Sequence, residues 1–427
     1  MSDPDLSFTT EDFLLSEKAV VERFTAAGQG HVFRFLDRLD WKRKNALFLS
    51  AKSVDLDLVA RLASGKSLAP PAPPPEPLEG PFVHRRQALQ DNRVLREQAE
   101  AAGLALLRGG KVAILTVAGG QGTRLGFPGP KGCYPVGPGQ RTLFDIHAAA
   151  VAAASREAGK PVPWILLVSP TTEEATRAYI RRRGLPGVAP AQVRIVCQGV
   201  LPALTDEGKL LLEDVDRIAT APDGHGGCLK ALRLTGTLAW LVNLGVEELC
   251  YFQVDNPLAP PVDPLFLGLH RRAKGQMSSK VFLKSDPAEK VGVVVCRHGK
   301  PAVIEYTELP KEQAERKAPG GGLQYWAANM ASHVLSMPFA AAVAFRGLPV
   351  HRVRKAVPFV DADGNRVVPP EPNAWKHESF VFDAMPLSAG GVVMEVDRSR
   401  EFAPLKNAAG MDSPETVRLL LQSAGKW

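Results

Sequence analysis

Between Lys111 and Gly137 the chain reads KVAILTVAGGQGTRLGFPGPKGCYPVG. Val112 to Ala118 is a short apolar run, rich in β-branched residues and free of charge. Such a run predicts a strand buried on both faces of a sheet. Gly119, Gly120, Gly122 and Gly126 follow it closely. Glycine lets a backbone turn tightly and approach a ligand, and such a turn aims several N–H groups at one point, as phosphate loops do. Arg124 and Lys131 add fixed positive charge to the same loop. A plain glycine-rich turn would explain the glycines but neither the cations nor the strand before them. The stretch therefore describes a polyphosphate site. It is neither of two familiar phosphate loops: GxGxxG fails at Leu125, and the Walker pattern fails because Lys131 lies between Pro130 and Gly132.

Outward from this loop, residues from about 80 to 350 alternate short β-rich runs with helical ones, the mark of an α/β sheet. A helix is expected over Thr142 to Ala158, a buried strand over Trp164 to Ser169, and a helix over Thr172 to Arg183. Further strands are expected over Val193 to Gly199 and over Glu247 to Val254. In open α/β sheets ligands bind beyond the carboxyl ends of the strands. Gly119 to Gly122, Gln198-Gly199 and Asp255-Asn256 all sit at such ends, so they are expected to converge. From Lys280 three β-rich runs (280–283, 292–296 and 302–306) read as a meander or hairpin, and Pro414 to Ala424 as a closing helix. Residues 1 to about 66 read as helical, notably His31 to Leu39 and Val54 to Leu62. Ala69 to Pro77 is an extended proline-rich connector. Three parts are expected: a helical region with its connector over 1–80, a catalytic domain over 81–368, and a short C-terminal part over 369–427.

The composition restricts the partners. A chain of 427 residues, 45% hydrophobic and 23% charged, is ordinary for a globular protein, and no apolar stretch approaches a bilayer span. Asp3 and Asp5 stand where a secretory signal would carry cations. Five cysteines without a CxxC pair point to reduced thiols and a cytoplasmic location. The net charge of +7 favours anionic partners. Its basic clusters are scattered and no aromatics interleave with them, so small anions are expected rather than nucleic acid.

AGGQGTRLG followed by PKG resembles the signature loop of the UDP-sugar pyrophosphorylases, most closely the UDP-N-acetylglucosamine pyrophosphorylase branch. These uridylyltransferases join UTP to a sugar 1-phosphate and release pyrophosphate. The likeness extends from about residue 30 to the end. It implies a Rossmann-like, GT-A-like mixed sheet flanked by helices, with a helical N-terminal region and a short C-terminal α+β part. It also implies roles. Ala118, Gly119, Gly120, Gln198 and Gly224 would bind the nucleotide. Arg124 and Lys131 would act on the polyphosphate, and Lys376 and Lys406 would contact phosphates, Lys406 also catalytically. Asp255, in the VDN segment, would hold Mg²⁺. Gly292, Glu305 and Asn329 would face the sugar together with His225. The chemistry of the residues agrees: Mg²⁺ needs few carboxylates when phosphates supply the other ligands, and a glutamine amide complements the uracil imide edge.

Three departures qualify the likeness. His225 stands in APDGHGG where that branch carries asparagine, Trp326 replaces another asparagine, and the chain stops soon after Lys406-Asn407. The first two predict a relaxed sugar preference, with glucose 1-phosphate used as well as N-acetylglucosamine 1-phosphate. The third predicts a monomer or weak oligomer. A nucleotide-sugar sensor without chemistry is the alternative, opposed by the presence of Lys131 and Asp255; an oxidoreductase is opposed by Leu125.

Overall fold

The computed structural model describes residues 15–64 and 75–426. By its internal contacts the chain divides into two units. One comprises 1–72, 199–227 and 345–380; the other, larger unit comprises 73–198, 228–344 and 381–427.

The larger unit is built on a ten-stranded mixed sheet. Its strands are β1 (Val112–Val117), β2 (Trp164–Val168), β3 (Val193–Cys197), β4 (Glu248–Gln253), β5 (Met277–Leu283), β6 (Val293–Arg297), β7 (Lys300–Ile304), β8 (Ala327–Ser336), β9 (Val393–Val396) and the short Val83–His84. Across the sheet the order is β3-β2-β1-β4-β8-β5-β9, with Val83–His84 beside β9 and the β6–β7 hairpin joined to β8. β3, β2, β1 and β4 run parallel, and β8 is antiparallel to both β4 and β5. Strands covered on both faces must be apolar throughout: β2 (WILLV) is buried along its whole length, and in β1 only Val117 keeps partial exposure. Helices α1 (Arg93–Arg108), α2 (Leu143–Ala158), α3 (Pro170–Arg183) and α4 (Pro264–Arg272) belong to this unit. The start of α2 is fixed by reciprocal bonds, Asp145 N–H to the Thr142 hydroxyl and Thr142 N–H to the Asp145 carboxylate. Phe144, Trp164, Leu166 and Phe252 share its main core.

The smaller unit packs helices Glu17–Ala26, Trp41–Lys52 and Leu56–Ala63 around Val32, Phe33 and Leu47, closed by Leu204, Leu212, Ile218 and Val360. It also contains the antiparallel strands Val350–Lys355 and Ala374–Ser379.

Several expectations hold to within a few residues: the helices after β1 and β2, the four parallel strands and the closing helix, Pro414–Ser423. Others are corrected. His31 to Leu39 forms two 3₁₀ turns, Gly30–Phe33 and Leu36–Arg38, instead of one helix. The three β-rich runs are no meander. β6 and β7 form the hairpin, whereas β5 lies between β8 and β9, because its partners come from far along the chain. The contiguous division at 80 and 368 is not the division by contacts. The apolar faces of the N-terminal helices need the 204–218 and 360 segments to bury them. Most of the proline-rich run lies outside the described residues. Its end, at Glu76, pairs both backbone groups with Cys296 of β6.

Candidate active site

Because β1 to β4 are parallel, their carboxyl ends open on one side of the sheet, and the predicted residues follow from there. Ala118 N–H donates to Leu167 O at 2.7 Å, Gln198 N–H to Val168 O at 2.8 Å, and Val254 N–H to Val117 O at 2.9 Å. The backbone of Gly119, the side chain of Gln198 and the hydroxyl of Ser169 then meet. Ser169 Oγ donates to Gly119 O at 2.7 Å. A Cβ at residue 119 would stand 2.7 Å from Gln198 Oε1 and 3.2 Å from Ser169 N. Only glycine leaves that approach open.

The glycine loop then folds back on itself. Gly122 N–H donates to Gly129 O at 2.8 Å, and Lys131 N–H to Gly120 O at 2.9 Å. At its base a Cβ on Gly132 would fall 2.3 Å from the Phe144 ring, so this turn sits hard against α2. The fold-back carries Lys131 to the end of β4, where its Nζ lies 3.1 Å from Asp255 Oδ2, both side chains largely buried. Arg124 stands exposed on a 3₁₀ turn of the loop.

Asp255 is tied from a second direction. Leu405 N–H donates to its carbonyl at 2.8 Å, which brings the next residue, Lys406, into this neighbourhood. Lys406 Nζ is 3.8 Å from Asp412 Oδ2, and Lys406 N–H donates to Asp412 O at 2.8 Å. Burial pushes the Asp412 carboxyl up, against the opposing pull of Lys406. His147 of α2 lies below, fully buried, with its Nε2 2.9 Å from Val254 O. Burial pulls its pKa down to about 4, so at neutral pH it is an uncharged brace for the segment carrying Asp255.

The fit to Mg²⁺ rests on the donor set. Among the described residues no group of three or more His, Cys, Asp or Glu side chains forms a metal cage. One carboxylate with a cation beside it and a phosphate-type loop before it suits an ion held mainly through substrate phosphates.

Gly292, Glu305 and Asn329 come together as a second cluster of the larger unit. Asn329 N–H donates to Gly292 O at 2.9 Å, and a Cβ on Gly292 would stand 2.9 Å from Glu305 Oε1. Nearby in sequence, the Trp326 ring has its face taken by the Arg85 guanidinium at 3.8 Å.

Gly224, His225 and Lys376 belong to the smaller unit. Ser379 N–H, three residues beyond Lys376, donates to Asp223 O at 2.8 Å, one residue before Gly224. The His225 ring lies 5.3 Å from Phe380, and burial pulls its pKa down to about 4. At neutral pH the ring is uncharged.

Three participants escaped the sequence reading. Ser169 was visible only as the end of a strand, and neither Asp412 nor His147 was singled out. The strand-end position of Ser169 was the one usable signal.

Residues 80–423 match the family model described as UTP–glucose-1-phosphate uridylyltransferase. The chain is 36% identical to human "UDP-N-acetylhexosamine pyrophosphorylase-like protein 1" over 97% of its own length and 86% of that protein's. It is 33% identical to Arabidopsis thaliana "UDP-N-acetylglucosamine diphosphorylase 2", covering 95% of this chain and 83% of that one. Among solved structures, the Trypanosoma brucei uridine diphosphate N-acetylglucosamine pyrophosphorylase in complex with inhibitor aligns with a TM-score of 0.80 and 28% identity. That alignment covers 99% of this chain and 85% of that one. With its signature loop at the carboxyl ends of a parallel half-sheet, and with relatives matched over nearly its full length, the chain belongs to the UDP-sugar pyrophosphorylase family of uridylyltransferases.

Proposed function

We propose that this protein transfers uridylyl from UTP to a hexose 1-phosphate, N-acetylglucosamine 1-phosphate or glucose 1-phosphate, releasing pyrophosphate. The observation that carries the reading is the Lys131–Asp255 pair, 3.1 Å apart, at the point where the glycine loop returns to the end of β4. A polyphosphate site needs a fixed cation and a metal-binding carboxylate within reach of the same phosphates, and this pair supplies both.

The phosphate oxygen of the sugar attacks the α-phosphorus of UTP, a new P–O bond forms, and the bond to the β-phosphate breaks. Pyrophosphate carries away the electron pair. No protein nucleophile is needed, so catalysis is positioning and charge neutralisation. Lys131 spans the α-phosphate and the leaving group, Arg124 grips the pyrophosphate, and Lys406 holds substrate phosphate. Mg²⁺, held by Asp255, would neutralise phosphate charge and polarise the α-phosphorus. Gln198, set beside Gly119, reads the uracil edge together with the Gly119–Gly120 backbone, and Ala118 contacts the nucleotide. Gly292, Glu305 and Asn329 meet the sugar. Gly224, His225 and Lys376 keep the roles implied by their motifs: nucleotide, sugar and phosphate contact.

The test is steady-state pyrophosphate release with UTP and each sugar phosphate. Release requires both substrates if the reading is right. Release from UTP alone, or none with any hexose 1-phosphate, would refute it.

A further inference from the structure

One buried polar side chain next to the site is not used by this mechanism. Asn256 is 3% exposed, and both ends of its amide are engaged by one distant segment. Its Nδ2 donates to Glu401 O at 2.8 Å, and its Oδ1 accepts from Ala403 N–H at 2.9 Å. With Leu405 N–H on Asp255 O at 2.8 Å, three hydrogen bonds join 255–256 to alternate residues 401, 403 and 405. The side-chain amide stands in for a peptide group, a planar donor and acceptor closing a short ladder where β4 has already ended. The segment is anchored beyond it as well: the Glu401 carboxylate pairs with buried Lys280 at 2.6 Å, and the Phe402 ring packs 4.6 Å from Phe282. Lys406 is the first residue past the ladder. Its Cα lies within about 4 Å of that of Leu405, whose N–H is bonded to Asp255.

We propose that Asn256 is a positioning residue for the transfer reaction, acting through Lys406: it fixes the 401–405 segment against the strand end so that the lysine is held at the phosphates beside Asp255. The inference rests on the uridylyl-transfer reading and deepens it. The geometry favours it over general scaffolding because both side-chain bonds go to the segment that delivers Lys406. Gln198 and Gly119, which would hold the base, are bonded elsewhere.

A double-mutant cycle tests it. Asn256→Ala, Lys406→Ala and the double variant are compared with wild type by pyrophosphate release at saturating UTP and sugar phosphate, with thermal unfolding as the check on folding. Misplacing a reacting group by about 1 Å costs on the order of 100-fold. Asn256→Ala is therefore expected to lower kcat by about that factor, with KM for UTP nearly unchanged. In the Lys406→Ala background the same substitution is expected to cost less than about 3-fold, since the group it positions is gone. Should Asn256→Ala fail to fold, Asn256→Leu keeps most of the side-chain volume while removing both amide bonds, and it enters the same cycle with its loss again suppressed by Lys406→Ala. Losses that multiply across the two sites would overturn the proposal, as they would place the effect in Asp255 or in the fold at large. An unchanged kcat in either folded variant would overturn it too. If wild type releases no pyrophosphate, the uridylyl-transfer reading falls and takes this inference with it. If wild type is active and the losses multiply, only the inference falls.

Discussion

Asp255 is bound at both ends: its carboxylate faces Lys131 Nζ and its carbonyl accepts from Leu405. Removing the charge while keeping the shape separates these two functions. Asp255→Asn keeps the backbone bond and is expected to fold normally. It should lose several kcal/mol of transition-state stabilisation, a fall in kcat of at least about 1000-fold. Near-normal pyrophosphate release by the folded variant at ordinary Mg²⁺ would end the metal-ligand role. His225 carries the sugar question. Its neutral ring offers one donor and one acceptor at wider angles than an asparagine amide. His225→Asn is expected to raise kcat/KM for N-acetylglucosamine 1-phosphate relative to glucose 1-phosphate; an unchanged ratio would show that His225 does not select the sugar. Asp255 was named from its motif and strand-end position, His225 from its motif alone. Their surroundings were not legible, because Lys131 and Asp255 are 124 positions apart in the chain and nothing in either segment announces a pairing. Asn256 was placed at the strand end with Asp255, but its role was not legible, because its partners lie about 145 residues on.

At the scale of elements, the parallel half of the sheet was readable, as were the strand β5 and the β6–β7 hairpin, but the pairing across the antiparallel half was not. β1 and β2 are covered on both faces, so their sequences are continuously apolar and local reading suffices. β5 lies between strands brought in from residues 327–336 and 393–396, a choice that is not local. It also contains Lys280, 1% exposed, which ordinary patterning would put in solvent. Its Nζ lies 2.5 Å from Asp263 and 2.6 Å from Glu401. Burial opposes its charge, but the two carboxylates outweigh burial and hold the ammonium above its usual range. Lys280→Met would leave two carboxylates facing each other without a cation. It is expected to destabilise the fold by about 3 kcal/mol, read as a lower urea midpoint; a midpoint equal to wild type would contradict this account of β5.

For the whole molecule, acid sensitivity follows from its buried histidines. His147 has a folded pKa of about 4 against a usual 6.5. Between those values the unfolded chain takes up a proton that the folded chain refuses, so falling pH favours unfolding. The stability that neutral His147 contributes is present above pH 6.5 and lost as pH falls toward about 4, a total of about 3 kcal/mol at 1.4 kcal/mol per pH unit. His147→Gln should flatten the fall in unfolding free energy between pH about 7 and about 5; an unchanged slope would exclude His147 as its source.

The central claim concerns the bond that is broken, and phosphorus NMR reads it directly. With UTP, N-acetylglucosamine 1-phosphate and Mg²⁺, the account predicts that a sugar–diphosphate signal and pyrophosphate grow in equal amounts. Adding excess pyrophosphate to the product should regenerate UTP. Inorganic phosphate as the product, or pyrophosphate without a matching sugar–diphosphate signal, would mean that water and not the sugar phosphate attacks, and would contradict the account.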